Sequence, residues 1–211
     1  MDINSDKYQI LDKFNVSRET LSLLEHYKNI VLEKNTKINL ISRKNTDDFI
    51  RRHIIDCAQA IDFIDLNKKI CTDLGSGAGL PGIVLAILMK GKNIKINMNL
   101  YEKSHHKSVF LEEVKEKLKL NVRIFKKDLS KEKNLTSGTI IARAFKPLPI
   151  ILQLVEKNFK NYSNLVVFMG TNGKQILEDS IKNWKFEYKK KESITNKDSF
   201  LINIKNIKKN V

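Results

Sequence analysis

Little in this sequence punctuates it. Only 3 prolines and 8 glycines occur in 211 residues, so a collagen-like repeat or a low-complexity disordered chain is excluded. Cysteine is scarcer still. Cys57 and Cys71 stand apart with no Cys-x-x-Cys pair, which fits a reducing compartment rather than a secreted disulfide framework. Long apolar runs are also missing. The longest, from Ile83 to Met89, stops at Lys90, far short of the ~20 residues a membrane-spanning helix needs, so a soluble protein is expected. The segment Met1-Asp2-Ile3-Asn4-Ser5-Asp6 is acidic and polar where a secretory signal would be basic and then apolar, which predicts a cytoplasmic protein.

Arginine is confined to positions 18, 43, 51, 52, 123 and 143, while lysine, isoleucine and asparagine are heavily used, a bias that genome composition alone can produce. The net charge is +15, from 39 basic and 24 acidic residues, and its placement is more telling than its size. Residues 1–66 carry 10 basic and 11 acidic side chains, so the whole excess lies in residues 67–211. A basic field of that kind speeds encounter with polyanions and makes binding salt-sensitive, which suits nucleic acid.

The first part reads as a helical extension over residues 1–66. Ser17 is placed to cap a helix in which Leu21, Leu24, Tyr27 and Val31 share a face. Thr46, followed by Asp47 and Asp48, is placed to cap a second, with Ile50, Ile54, Cys57, Ala58 and Ile61 on one side. From Lys69 the pattern changes. Strands are predicted at 70–74, 94–102, 122–125, 139–143, 164–169, 185–190 and 199–204, and helices near 81–90, 105–118, 149–158 and 173–183. Strand and helix alternating in this way predict an α/β domain over 67–211, with a mainly parallel seven-stranded sheet. The last two strands lack a helix between them and should form an antiparallel edge hairpin. Its lysine-rich stretches, 185–191 and 205–209, serve either edge protection or RNA contact.

The strongest motif is Thr72-Asp73-Leu74-Gly75-Ser76-Gly77-Ala78-Gly79-Leu80-Pro81-Gly82, which follows the first strand and opens the first helix of the sheet. Its glycines allow a sharp turn and close approach of a ligand. Leu80 stands where a dinucleotide fingerprint has glycine or alanine, and no Gly-Lys-Ser/Thr of a P-loop occurs, which disfavours a nicotinamide-dependent oxidoreductase. What remains is Asp-x-Gly-x-Gly-x-Gly with Glu102 at the end of the second strand, placed either to accept from ribose hydroxyls or simply as an exposed strand-end carboxylate. This is the pattern of an S-adenosylmethionine site.

Together with Asn39-Leu40, Arg52-His53-Ile54-Ile55-Asp56, Phe110-Leu111, Ala142-Arg143-Ala144-Phe145 and Pro147-Leu148-Pro149, the loop resembles the small-subunit ribosomal RNA guanine-N7 methyltransferases, the glucose-inhibited division protein B family. The resemblance implies a class I S-adenosylmethionine-dependent methyltransferase (Rossmann-like) fold with an N-terminal helical extension. It also implies S-adenosylmethionine as methyl donor and one guanine of 16S rRNA near the decoding site as target, in the small ribosomal subunit. By position, Gly75, Gly77, Leu80, the pair Leu129-Ser130 and Arg143 would contact the cofactor, and Glu102 would hold the ribose. A monomer is expected. The chain departs from the family pattern at His105-His106-Lys107, at Asp128, which is then the candidate for the adenine contact, at Met169-Gly170 and at Ser199. Those changes keep a second reading open, a methyltransferase-fold RNA-binding protein with weak or lost catalysis.

No catalytic acid or base is assigned. Guanine N7 carries an in-plane lone pair, so no proton has to be removed before it attacks a sulfonium methyl, and positioning can supply most of the catalysis. Arg143 is read as a cofactor or RNA contact, or as half of a structural ion pair. His53 and Asp56, one turn apart, form a polar anchor to the sheet or a wall of the site. They are too few for a metal centre, and adjacent His105 and His106 point in different directions. Phe145 either stacks on a base or packs in the core. Cys57 and Cys71 are expected only to pack.

Overall fold

The computed structural model describes residues 10–42 and 48–210, so Met1 to Asp6, Thr46 and Asp47 lie outside the described residues. A 3-10 turn, Ile10–Phe14, leads into helix α1, Arg18–Asn35. Ser17 caps α1 as expected, its hydroxyl accepting from the Thr20 amide at 3.3 Å. The second helical segment is not one regular helix. It winds as a π-helix over Ile50–Ile55, passes through an α-turn at Asp56–Ala58 and ends as a 3-10 turn over Gln59–Phe63. The wide winding turns Ile50, His53, Ile54 and Ile55 inward together, a larger buried share than one helical stripe provides.

The sheet follows. Its elements are β1 Ile70–Leu74, α2 Gly82–Gly91, β2 Asn97–Tyr101, α3 His105–Leu118, β3 Val122–Phe125, β4 Leu135–Thr136, β5 Thr139–Ala142, α4 Leu148–Asn158, β6 Phe159–Asn161, β7 Asn164–Met169, α5 Gly173–Asn183, β8 Trp184–Glu192 and β9 Phe200–Lys209. Seven strands form one sheet in the order β3-β2-β1-β5-β7-β9-β8. The first five are parallel; β9 runs antiparallel to β7 and pairs with β8 as the edge hairpin. Sequence analysis did not foresee β4 and β6, which form a separate two-stranded parallel ribbon.

Helix α2 shows why the N-terminal helices are needed. Every residue from Gly82 to Met89 is buried, so the helix is apolar all round and must be covered on both sides. The sheet covers one side. Leu24, Tyr27 and Val31 of α1 cover the other and join Ile83, Leu85 and Ile87 in one core. The two helices touch at Thr20 and Gly91, where an added Cβ would lie 2.0 Å from the threonine hydroxyl oxygen. Cys57 and Cys71 are both fully buried, and burial pushes both thiols up, so they pack rather than react.

Chain order reverses between β1 and β5: the chain leaves β1 toward β2 and β3, then returns to build β5 and β7 on the other side. The crevice above the C-terminal ends of these two strands is where α/β sheets of this topology bind ligands.

Candidate cofactor and substrate site

The glycine loop sits in that crevice. Gly75, Gly77 and Gly79 have φ of +71°, +56° and +95°, backbone that a side chain would strain. The amides of Gly75 and Ser76 both donate to the Tyr101 carbonyl, at 2.9 and 3.0 Å, which ties the loop to the end of β2. Glu102, the next residue, secures it further. One carboxylate oxygen accepts from the Gly77 amide at 2.9 Å and the other from the Ser104 amide at 2.8 Å. Glu102 is only 8% exposed and so is not a solvated strand-end carboxylate. Each of its oxygens retains a lone pair for a further donor.

Behind the loop lies Asp73, 1% exposed. One carboxylate oxygen accepts from the Gly82 amide at 3.1 Å; the other has no hydrogen-bond partner. Burial pushes this carboxyl up to about 7, against the opposing pull of Ser76 and the Gly82 amide. The loop is also braced from outside the sheet, because the Tyr27 hydroxyl of α1 donates to the Ala78 carbonyl at 2.8 Å in a buried contact. Sequence reading placed Tyr27 on an apolar face and missed this role. A hydroxyl on a core-facing position, which needs a partner, was the available hint.

The other predicted residues take up different positions. Leu80 is buried ahead of a cis bond to Pro81. Leu129 and Ser130 follow β3 in a 3-10 turn; Leu129 packs in a second core beside Tyr101 and Leu148. The Ser130 amide and hydroxyl both donate to Asp128, at 3.0 and 2.7 Å, and hold its exposed carboxyl below the usual carboxylate range. The Phe145 ring covers Gly75 so closely that an added Cβ would fall 2.2 Å from it. That placement depends on Ala144, whose φ of +50° turns the chain sharply after β5.

Arg143 makes the ion pair. Its Nε donates to Asp56 at 3.0 Å, and one Nη donates to the Arg52 carbonyl at 2.9 Å and faces His53 Nδ1 at 3.3 Å. The π winding contributes here, because the Asp56 amide bonds back to the carbonyls of Arg51 and His53. Asp56 also accepts from the Thr195 hydroxyl at 2.9 Å and from Gln59 at 3.2 Å. Gln59 in turn accepts from the Ile194 amide at 2.8 Å, which fastens the β8–β9 connection to the N-terminal helices. His53 is 5% exposed, and burial, with Arg143 and Arg52 adding to it, pushes its ring down to about 4. It is therefore neutral near pH 7. His53 and Asp56 anchor helix to sheet, the first of their two sequence readings, and both also line a cavity.

That cavity, of about 1040 Å³, opens at the C-terminal ends of β5 and β7. Arg52, His53, Arg143, Phe168, Met169 and Ser199 are among its walls, so two of the departures, Met169 and Ser199, belong to it. His105 and His106 lie apart from it at the start of α3, where Lys126 Nζ donates to His105 Nδ1 at 2.6 Å. Among the described residues no group of three or more His, Cys, Asp or Glu is placed to hold a metal ion.

The glycine loop suits a bound nucleoside. An added Cβ at Gly77 would meet nothing closer than the Gly75 carbonyl at 3.9 Å, so the turn leaves open space beside the free lone pairs of Glu102. The sequence matches the family described as GidB, rRNA small subunit methyltransferase G, over residues 20–203. The chain belongs to this family. It is 52% identical over 204 residues to the ribosomal RNA small subunit methyltransferase G of Pelagibacter ubique, covering 96% of each chain. It is 30% identical over 197 residues to that of a Ruegeria species, covering 93% of this chain and 96% of the relative. Solved structures agree on the fold. A SAM dependent methyltransferase from Aquifex aeolicus superposes with a TM-score of 0.56 at 18% identity, over 76% of this chain and 95% of that one. A point mutant of MtNAS in complex with S-adenosylmethionine gives 0.59 at 13% identity, over 96% and 84%. The fold is thus that of S-adenosylmethionine-dependent methyltransferases. No helix among the described residues is long and apolar enough to cross a membrane.

Proposed function

We propose that this member of the rRNA small subunit methyltransferase G family transfers the methyl group of S-adenosylmethionine to N7 of one guanine in 16S rRNA near the decoding site. It acts in the cytoplasm as a monomer on rRNA or the small subunit. The observation that carries this reading is the juxtaposition, across one strand reversal, of a glycine loop secured by Glu102 and a cavity walled by arginines and Phe168.

Gly75, Gly77 and Leu80 would line the cofactor, Glu102 would accept from its ribose hydroxyls, and Leu129 and Ser130 would flank its base. When bound, S-adenosylmethionine supplies an electrophilic sulfonium methyl. The chain's own contribution is placement. Arg143, just after β5, would contact the cofactor from the cavity wall, which it fixes through Asp56. With Arg143 paired to Asp56, the basic side chains of Arg51, Arg52 and Lys197 give that wall positive charge for a phosphate, and Phe168 offers an aromatic surface for a base. His53, kept neutral by its surroundings, adds no like charge to the electrophile's side. No general base is required, because N7 presents its lone pair directly.

The test is incubation with isotope-labelled S-adenosylmethionine and small-subunit particles or rRNA lacking the modification, followed by digestion to nucleosides and mass spectrometry. Labelled 7-methylguanosine is the expected product. No label in the presence of measured cofactor binding favours the RNA-binding reading, which the residues Met169 and Ser199 in the cavity wall motivate.

A further inference from the structure

The β8–β9 hairpin is longer than its place in the sheet requires. β9 pairs with β7 only from Phe200 to Ile204, yet it continues to Lys209, paired with the start of β8 alone. The hairpin therefore projects past the N-terminal end of β7, at the opposite end of the sheet from the glycine loop. Between this projection and β6 lies a second groove, of about 540 Å³, lined by Lys160, Tyr162, Lys185, Phe186 and Lys208 among others. The three lysines are exposed, and none has an acidic partner among the described residues. The carboxylate beside them, Glu187, is engaged by the Asn206 amide at 2.7 Å. Along the same edge strand Phe186 and Tyr188 meet edge to face, with centroids 6.0 Å apart, and Tyr188 is 44% exposed.

We infer that this groove is a second docking site for RNA, taking a single-stranded or looped segment of the substrate remote from the base that is methylated. Half-buried Tyr162 and Phe186 in the groove, and exposed Tyr188 further along β8, stand among these unpaired lysines, and aromatics interleaved with lysines are the surface on which single-stranded nucleic acid stacks its bases and tracks its phosphates. Edge protection alone does not account for it. A guard against strand pairing needs charge along one edge, not charges from separate strands gathered at one place. Here the three lysines come from β8, from β9 beyond its pairing with β7, and from β6 of the separate ribbon, and they line one concavity. By contrast, the lysines nearer the top of β8 are committed: Lys191 pairs with Asp62 at 2.6 Å and Lys190 with Glu192 at 2.7 Å. From Lys185 to Glu192 the strand rises roughly 23 Å at about 3.3 Å per residue. A short oligonucleotide centred on the target base cannot span both sites, whereas a folded rRNA domain can. The inference rests on the proposed RNA substrate but not on catalysis.

The test is the triple variant K160E/K185E/K208E, with K160R/K185R/K208R as the charge-preserving control, read first by filter binding to 16S rRNA across a salt series. Three lost phosphate contacts predict a decrease in the log–log salt slope of about 2 to 3. The arginine control should bind as the parent does. Tyr188→Ala should weaken binding roughly tenfold by removing a stacking platform. The KM for rRNA should rise in the glutamate variant, with kcat, cofactor affinity and binding of a short target-centred oligonucleotide unchanged. An unchanged slope in the glutamate variant, an equal loss on the short oligonucleotide, or crosslinks from position 185 to ribosomal protein instead of rRNA would overturn the inference. Because filter binding needs no methyl transfer, a parent that binds rRNA through this groove but yields no 7-methylguanosine refutes the proposed reaction and leaves the docking site standing.

Discussion

Asp56→Ala would remove a carboxylate that holds three parts of the molecule together: Arg143 at the end of β5, Gln59 on its own helical segment, and Thr195 between β8 and β9. The pair with Arg143 is short, at 3.0 Å, and each side chain keeps 17% of its surface exposed. Breaking a fully buried pair from one side costs about 3–5 kcal/mol, chiefly because a charge is left without its partner. Residual exposure here and the second bond of Arg143 to the Arg52 carbonyl lower that to roughly 2–4 kcal/mol. At about 2–4 °C per kcal/mol for a chain of this size, Tm should fall by roughly 5–15 °C. Arg143→Met should cost a similar amount, stranding Asp56 instead. The double variant strands neither charge, so its loss should fall short of the sum by roughly 1–3 kcal/mol. Urea denaturation of the four proteins measures this coupling. Additivity within about 0.5 kcal/mol would refute the claim that the two act as a unit.

Tyr27→Phe deletes one buried hydrogen bond to the glycine loop and should cost about 1 kcal/mol of stability, with a weaker cofactor Kd by calorimetry; unchanged cofactor affinity would mean the brace does not reach the site. Glu102→Ala removes the acceptor for the Gly77 and Ser104 amides together with the proposed ribose contact, and should weaken cofactor binding at least about tenfold while a folded spectrum persists. Asp73 gives a pH signature. Its folded value of about 7 lies above the unfolded 3.8, so the stability of the parent relative to Asp73→Asn is greatest below pH 4 and declines as pH rises to 7, by up to roughly 4 kcal/mol. A stability difference between the two proteins that stays flat from pH 4 to 8 would show that Asp73 titrates as an ordinary carboxylate.

The α/β core was plain in the sequence because its strands are buried on both faces and read as short apolar runs between helices. Ile70–Leu74, Val122–Phe125, Asn164–Met169, His105–Leu118 and Gly173–Asn183 fall where the pattern put them. Boundaries slipped where chemistry and position disagree. β9 runs five residues beyond its expected end because Lys205, Lys208 and Lys209 face outward and read as a charged tail. The π-helix was hidden because six residues are too few to separate its period from that of an α-helix. The glycine loop and Glu102 were legible, being adjacent to strands whose ends meet in any parallel sheet. The partner of Arg143 was left open between cofactor, RNA and ion pair, since Asp56 lies 87 residues away and no local rule links them. The turn that separates Arg143 from Phe145 depends on a left-handed alanine, which no propensity foretells.

The cavity wall fastened to Asp56 and Gln59 has a temporal consequence. Ile194 and Thr195 meet residues made 135 and 139 positions earlier, while the brace from Tyr27 to the glycine loop closes over only 51. As the chain leaves the ribosome, the cofactor half of the site can form well before the half that faces the substrate. In a nascent chain that has not reached residue 193 both partners of the brace, Tyr27 and Ala78, have already been made, whereas the cavity wall still waits for Ile194 and Thr195 to meet Gln59 and Asp56.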